Sequence, residues 1–156
     1  MLFNALIITS KLGGIRVREV IFRGKSVMPV SELEDKHFIG HDNGWFTGNL
    51  VMKGDVPCIV GDFIEFDEEY TINEFWTKVI PESVGQYTGL RDSNYKKIFE
   101  GDIGWDAHHE VYGVVKFDEG KFIYCWDNIC EDLFEVNEDI EIVGNTYEES
   151  YLLNTK

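Results

Sequence analysis

The residues best suited to chemistry lie in one short stretch, where His108 and His109 are flanked by Asp106 and Glu110. Imidazole and carboxylate groups together can bind a divalent metal ion. The stretch is predicted to be a hairpin loop, and adjacent residues of a strand point to opposite faces, so the two histidines are poorly placed to chelate. No third candidate ligand follows at a spacing typical of a metal-binding motif. A solvated loop is the favoured interpretation, and metal binding remains the alternative.

The cysteines offer a second set of reactive groups. Cys125 and Cys130 are separated by four residues, so they could close a loop, or bind zinc if the histidine loop converged on them. The total of three cysteines is odd and no C-x-x-C motif occurs, which fits a reducing cytosol. We therefore expect Cys58, Cys125 and Cys130 to be free thiols, mostly placed in the core.

Recognised catalytic patterns do not occur in the sequence. Ser31, Ser83 and Ser93 lie in predicted turns, and no G-x-S-x-G elbow surrounds them. Neither a G-x-x-x-x-G-K-[ST] phosphate loop nor a G-x-G-x-x-G motif is present. The carboxylates at 67–69 and 137–141 are explained as solvated faces of an acidic chain. We predict a protein that is not an enzyme, with no catalytic residue, cofactor or bound metal.

The net negative charge of the chain limits the classes of molecule that it is expected to bind. The 156 residues carry a net charge of −15, and residues 101–156 hold three Lys or Arg against fourteen Asp or Glu. Phosphate backbones are bound by clustered Lys and Arg, so direct binding to DNA or RNA is not expected. An acidic surface suits a solvated protein, a protein that meets a basic partner, or an imitation of DNA. The apolar run LFNALII has only seven residues, which is too short to span a membrane.

Strand-forming residues and turn residues alternate along the whole chain, which predicts many short antiparallel strands. The pairs at 43–44 and 119–120 are predicted hairpin turns. Ser31 and Glu34 are spaced like a capping box at the start of one helical turn. LFEV at 133–136 is interpreted as a strand after a polar loop, and the tail from 148 as a short helix or strand. The four tryptophans, Trp45, Trp76, Trp105 and Trp126, are predicted to anchor the core or an interface between subunits.

The most patterned stretch of the chain is VGQYTGLRDSNYKKIFEGDIGWD, at 84–106. Two glycines are predicted to let the chain turn around Tyr87, and RDSN to form a polar turn before the next strand. Gly101 would take a conformation open mainly to glycine, and Asp102 would accept backbone hydrogen bonds. We interpret the stretch as a folding signature, in which an interaction role is secondary. Its residues are Gly85, Tyr87, Gly89, Phe99, Glu100, Gly101 and Asp102.

Several ordered segments resemble the YopX family of phage and prophage proteins. They are VIPESVGQYTGL, IFEGDI, GVV and IVGNTYEESYLL, together with REVIFRG and DNGWFTGNLV nearer the N-terminus. The resemblance covers about residues 18–153. The chain departs from the family pattern between Gly24 and Asp42, where it is longer, and at 149–151, where the family usually has Asn-Pro.

The resemblance implies a mainly β protein of short antiparallel strands, with a small SH3-like barrel, or roll, in the C-terminal half. The expected domains are an N-terminal β region at 17–78 and the barrel domain at 79–153. It further implies a phage or prophage protein in the host bacterial cytoplasm, and assembly into a homo-oligomer. It supplies no activity. We expect an accessory protein that works through contacts with an unknown protein partner, with a DNA-mimic inhibitor or a metal-binding enzyme as alternatives.

Residues 1–16 have no counterpart in the family pattern. KLGGIRV could be encoded by a purine-rich run similar to a ribosome-binding site, and Val17 could be a GTG start. We expect residues 1–16 to be a translated leader or the result of a misplaced start.

Overall fold

Turn residues divide the chain into short antiparallel strands, as the sequence predicts. The computed structural model describes residues 17–155. Its elements are β1 (Phe22–Lys25), α1 (Val30–Asp35), β2 (His41–Asp42), β3 (Trp45–Lys53), β4 (Val56–Val60), β5 (Phe63–Phe66), β6 (Thr71–Asn73), β7 (Trp76–Lys78), a 3₁₀ turn (Pro81–Ser83), β8 (Gly85–Arg91), β9 (Lys97–Phe99), β10 (Asp102–Asp106), β11 (Val111–Asp118), β12 (Lys121–Trp126), β13 (Ile129–Asp132), α2 (Leu133–Val136), β14 (Ile140–Asn145) and a second 3₁₀ turn (Ser150–Asn154).

The first sheet has the strand order β7-β4-β3-β1-β8-β9, and β2 pairs with β3. Its core contains Leu33, Phe46, Ile59 and Val79, so α1 covers one face through Leu33. The predicted boundary between residues 78 and 79 remains a prediction. Strands β8 and β9, on the C-terminal side of it, hydrogen-bond into this first sheet.

The second sheet is antiparallel, with the order β13-β12-β11-β10-β14. Its core is formed mainly by its own strands and by α2, and includes Tyr124, Leu133 and Ile140. Ile98 of β9 is also buried in this core, although its strand belongs to the first sheet. The two sheets are therefore coupled through β9 and the short connection that leads into β10.

Two predicted hairpin turns form as expected. Asn43 and Gly44 have φ of 47° and 83°, and Glu119 and Gly120 have φ of 48° and 81°. Positive φ at both central residues matches the right-handed twist of the flanking strands, which is why these dipeptides favour tight hairpins.

Two local predictions are wrong. Ser31 and Glu34 form no capping box, because α1 begins after Pro29, and no side-chain hydrogen bond caps it. LFEV forms the helical turn α2 instead of a strand, and the second part of the predicted polar loop before it, Ile129–Asp132, forms strand β13. Tertiary packing overrides the local β-propensity of this segment, because the helical turn buries Leu133 fully in the core of the second sheet.

The prediction of three free thiols is wrong for two of them. Cys125 and Cys130 form a disulfide, with their Cα atoms 4.1 Å apart. The two residues lie directly opposite each other on β12 and β13. Neighbouring antiparallel strands bring opposed Cα atoms this close, which spacing along the sequence does not reveal. Cys58 is free and buried, as predicted.

Among residues 17–155, no helix has the length and apolar character needed to cross a membrane.

Candidate functional site

The patterned stretch forms the joint between the two sheets. Phe99 ends β9, Asp102 begins β10, and Gly101 between them has a φ of 85°. The Gly101 N–H donates to the carbonyl of Val115 at 2.9 Å, and the Thr146 N–H donates to the Gly101 carbonyl at 2.8 Å. Because this φ is strained for residues with a Cβ, glycine suits the corner that leads the chain from one sheet to the other.

Gly85 has a different role from the one predicted. It does not turn the chain, since it is the first residue of β8. A Cβ at Gly85 would lie 2.3 Å from the Glu100 carbonyl oxygen, so its backbone packs directly against the joint. Gly89 does have a positive φ, 85°, where the pairing of β8 with β9 shifts register.

An ion pair lies at the centre of the joint. Arg23 Nη1 of β1 is 2.6 Å from Asp102 Oδ1 of β10, and Asp102 is only 1% exposed. The second carboxylate oxygen, Oδ2, accepts the Phe99 N–H at 2.7 Å. Burial raises the pKa of Asp102, and the nearby Arg23 charge and the Phe99 N–H offset only part of that effect.

The Arg23 guanidinium lies between two aromatic rings. Its Cζ is 5.1 Å from the Trp45 ring centroid and 5.0 Å from that of Phe99. Both distances are within the range of cation–π attraction. Sequence reasoning missed Arg23 and predicted Trp45 only as an anchor of the core or of an interface. Both lie on strands distant in sequence from Asp102, and only the pairing of the strands brings the three residues together.

Tyr87 belongs to the packing of the same joint. Its ring centroid is 5.6 Å from that of Phe99, and Lys97 Nζ lies 4.9 Å from the Tyr87 ring centroid. Tyr87 is buried, and Glu100 is half-buried beside the corner. These contacts place Tyr87 and Phe99 in the packing of the joint, and the interpretation of the stretch as a folding signature remains a prediction.

A cleft of about 470 Å³ opens above the ion pair. Its ionisable lining residues have both signs, with Arg23, Lys96 and Lys97 against Asp42, Asp102, Glu148 and Glu149. Such a mixture does not select a ligand by charge. The charges lining the cleft therefore favour neither an anion nor a cation as a ligand. The Arg23–Asp102 pair at its floor is better explained as a contact that joins the two sheets.

The histidine loop is ordered by Asp106 rather than arranged around a metal. Asp106 Oδ1 accepts the backbone N–H groups of His108 and His109, and Oδ2 accepts His109 Nδ1 at 2.7 Å. Burial opposes the charge, but these hydrogen bonds lower the pKa of Asp106 below its usual value. The histidines lie in a turn, so strand alternation does not separate them, and their ring centroids are 4.8 Å apart. Within residues 17–155, no three or more His, Cys, Asp or Glu side chains are grouped to hold a metal.

A surface that the sequence reading did not single out is the hairpin of β5 and β6. We call residues 62–74 the arm. Within the part of the chain that the structure describes, β5 and β6 pair only with each other. The arm exposes large apolar side chains, and Trp76 follows it in the edge strand β7. These side chains are Phe63, Ile64, Phe66, Tyr70, Ile72 and Trp76, of which Phe63 and Phe66 are each 63% exposed and Trp76 62%.

The arm has a fixed base and an ordered tip. The Gly61 N–H donates to the Phe75 carbonyl, and the Phe75 ring packs 4.9 Å from Phe46 in the first core. At the tip, Asp67 Oδ1 accepts the N–H groups of Glu69 and Tyr70 at 2.7 and 3.0 Å. The exposed rings are therefore presented on a structured hairpin.

Carboxylates surround the apolar side chains of the arm. Asp62, Glu65, Asp67, Glu68, Glu69 and Glu74 lie within it. No Lys or Arg occurs between Lys53 and Lys78. The arm thus combines exposed aromatics with negative charge, a composition that suits a partner with an apolar pocket and a basic rim.

Comparison with known proteins places the chain in a structural context. The family model described as YopX protein matches residues 32–154. Among solved structures, the chain is similar to protein EF1440 from Enterococcus faecalis, at 20% sequence identity and a TM-score of 0.55. That similarity covers 88% of this chain and 99% of the other, and at this identity it shows the fold alone. No curated protein matches the chain.

Proposed function

Because the chain belongs to the YopX protein family, we propose that it is a phage or prophage accessory protein that acts through protein–protein contacts, without catalysis, in the host cytoplasm. The arm is the observation that carries this proposal. Exposed aromatic residues on an ordered element are typical of interaction surfaces.

The energetics of the arm support a binding role. An isolated two-stranded hairpin is only marginally stable in water. Phe63, Phe66 and Trp76 are each more than half exposed, and burying such side chains in a partner gains up to about 1.5–3 kcal/mol each. Association would therefore use apolar surface that the fold of a single chain leaves in water.

Three residues whose side chains could take part in catalysis make structural contacts instead. Asp102 pairs with Arg23, Asp106 orders the histidine loop, and Ser83 Oγ accepts the Lys25 N–H and donates to the Ile80 carbonyl. This distribution favours a binding protein over an enzyme.

The alternative of a DNA mimic rests on the net charge of −15. A mimic presents carboxylates spaced like phosphates along one face. The carboxylates of the arm instead alternate with exposed Phe63, Ile64 and Phe66, which a phosphate backbone does not resemble. The protein-contact proposal therefore accounts for more of this surface.

We extend the proposal to the fold of the second sheet, which we describe as an SH3-like roll. Its support is the strand order β13-β12-β11-β10-β14, with the helical turn α2 placed between the fourth and fifth strands of the sheet in chain order. Assembly into a homo-oligomer is part of the same proposal, since a second copy is one protein that the arm could meet.

The test is an affinity capture from cells in which the protein is naturally made, comparing the native chain with three single variants as baits. Phe63→Thr and Phe66→Thr remove aromatic contacts of the arm, whereas Phe117→Thr removes an exposed strand phenylalanine elsewhere. We expect the same protein to be recovered with the native chain and the Phe117 variant and lost with both arm variants. Equal recovery of that protein with all four baits, each of them folded, would contradict the role of the arm.

A further inference from the structure

A groove of about 660 Å³ lies between the second sheet and the C-terminal 3₁₀ turn. We propose that this groove binds a Lys or Arg side chain presented by a basic segment of a protein partner. The proposal deepens the proposed function, on which it rests, by assigning a second contact surface and the chemistry of the group it takes. The lining residues that carry the argument are Trp105, Glu110, Tyr112, Trp126, Asp127 and Leu152.

Aromatic rings give the groove its affinity for a cation. Trp105 of β10 and Tyr112 of β11 are cross-strand partners, and their ring centroids are 4.7 Å apart. Trp126, at the end of β12, borders the same groove but is only 7% exposed, so the half-buried Trp105 and Tyr112 are the rings that a ligand can reach. Ammonium and guanidinium groups are attracted to the faces of such rings, most strongly to Trp and more strongly when the cation loses water.

Carboxylates give the groove the matching sign of charge. Glu110 and Asp127 both line it, and its lining within residues 17–155 includes no Lys or Arg. This differs from the cleft above the Arg23–Asp102 pair, where cations and carboxylates are mixed. The surrounding sequence adds to the effect, because residues 101–156 contain fourteen Asp or Glu and only three Lys or Arg.

The groove also suits the stem of a long basic side chain. Val111, Leu152 and Leu153 supply apolar lining beside the rings. Lys and Arg bury their methylene stems along apolar surface and keep the charged ammonium or guanidinium group in contact with water or polar groups. A partner side chain could thus place its stem against the leucines and its head near the aromatic faces and carboxylates.

The histidine loop holds one wall of the groove in place. The His109 ring packs on Trp126, with centroids 5.4 Å apart, and Asp106 fixes His109 through its Nδ1. On the core side, Tyr124 lies 5.5 Å from the same tryptophan ring. Trp126 is therefore ordered before any ligand arrives, which lowers the entropic cost of binding. The histidine loop thus supports the wall of the groove that Trp126 forms.

The experiment titrates the full chain with two blocked peptides, one of alternating Gly and Arg and one of alternating Gly and Gln. Binding is followed by calorimetry at physiological salt, and folding of each variant by thermal melting. We expect the Arg peptide to bind and the Gln peptide to bind at least about tenfold more weakly. Equal binding of both peptides, or no binding of either, would overturn the proposal.

Variants separate the groove from general attraction to an acidic protein. We expect Tyr112→Leu and Asp127→Asn each to weaken Arg-peptide binding by about three- to tenfold. Tyr112→Phe, which keeps the ring, should bind like the native chain, as should Glu119→Gln, which removes a carboxylate outside the groove lining. If Glu119→Gln weakens binding as much as Asp127→Asn, the attraction is non-specific and the proposal fails. The arm variants should not change this titration, so failure here leaves the test of the arm unaffected.

Discussion

Arg23 of the first sheet and Asp102 of the second approach within 2.6 Å, with the carboxylate only 1% exposed. Arg23 Nε and Asp102 Oδ1 are buried, and neither is in a hydrogen bond of good geometry. The contact is thus primarily ionic, and it lies beside the Trp45 and Phe99 rings at the floor of the cleft. A buried pair of this kind contributes little net stability when intact, but each charge depends on the other.

Removing Asp102 should therefore be severely destabilising. Asp102→Ala leaves the Arg23 guanidinium without its counterion and the Phe99 N–H without its acceptor. We expect a loss of about 3–5 kcal/mol in the free energy of unfolding, measured by urea titration. Glu141→Ala, at an exposed strand position, is the matched control and should stay within about 0.5 kcal/mol. If Asp102→Ala and Glu141→Ala lower the free energy of unfolding by the same small amount, the Arg23–Asp102 pair does not couple the two sheets.

The corner at Gly101 should tolerate no β-branched residue. Its φ of 85° is strained for any residue with a Cβ, and a Cβ would also lie 3.4 Å from Thr146 Oγ1. Gly101→Val is expected to cost more than about 1 kcal/mol by thermal melting. Gly54→Asn provides the contrast, since Gly54 has a φ of 61° with no atom near the added Cβ, and asparagine accepts this conformation. A Gly101→Val protein that melts like the parent would show that the corner is not constrained.

The disulfide should stabilise strand β13 at the edge of its sheet. Cys125 and Cys130 have a sequence separation of 5, and the chain-entropy model gives about 2 kcal/mol for so short a loop. Unfolding under a dithiol reductant should therefore occur at lower urea than under oxidising conditions. In the double variant Cys125→Val and Cys130→Ser, the reductant should have no effect. A native chain indifferent to reductant would mean that the bond adds no stability.

Acid should remove the support that Asp106 gives to the histidine loop. The folded-state pKa of this carboxyl lies below its ordinary value of 3.8, so its ionised form stabilises the fold above that pH. The contribution is lost as pH falls through the lower, folded-state pKa. The stability difference between the native chain and Asp106→Asn should accordingly be larger at pH 7 than at pH 3. A difference that stays constant with pH would contradict an ionised Asp106.

Many of the strands and turns can be predicted from the sequence, because a tight hairpin depends mainly on the two residues at its turn. The pairs Asn43–Gly44 and Glu119–Gly120 fix tight turns, and the strands around them follow. The central contacts are not local. Arg23 meets Asp102 only through the pairing of β1 with β8 and the corner after β9, and Cys125 meets Cys130 only through strand register.

The exposure of the arm could not be predicted from the sequence either. FIEF reads as an ordinary strand, and only the structure shows that Phe63 and Phe66 remain exposed on a hairpin apart from both larger sheets. The sequence favours a solvated loop for the two histidines, but it does not show that Asp106 accepts hydrogen bonds from the backbone of its own turn. Periodicity indicates which residues form strands, but it does not show which faces the tertiary fold leaves uncovered.

Site-specific photocrosslinking at the arm tests the central claim most directly. A photoreactive phenylalanine analogue would replace Phe66 in one protein and Tyr95 in another, since both positions are highly exposed and Tyr95 lies outside the arm. In cells that naturally make the protein, we expect the analogue at 66 to give one discrete crosslinked protein, or a crosslink between two copies of this chain, and the analogue at 95 to give neither. No crosslink at 66, or the same pattern from both positions, would contradict a protein-binding role for the arm.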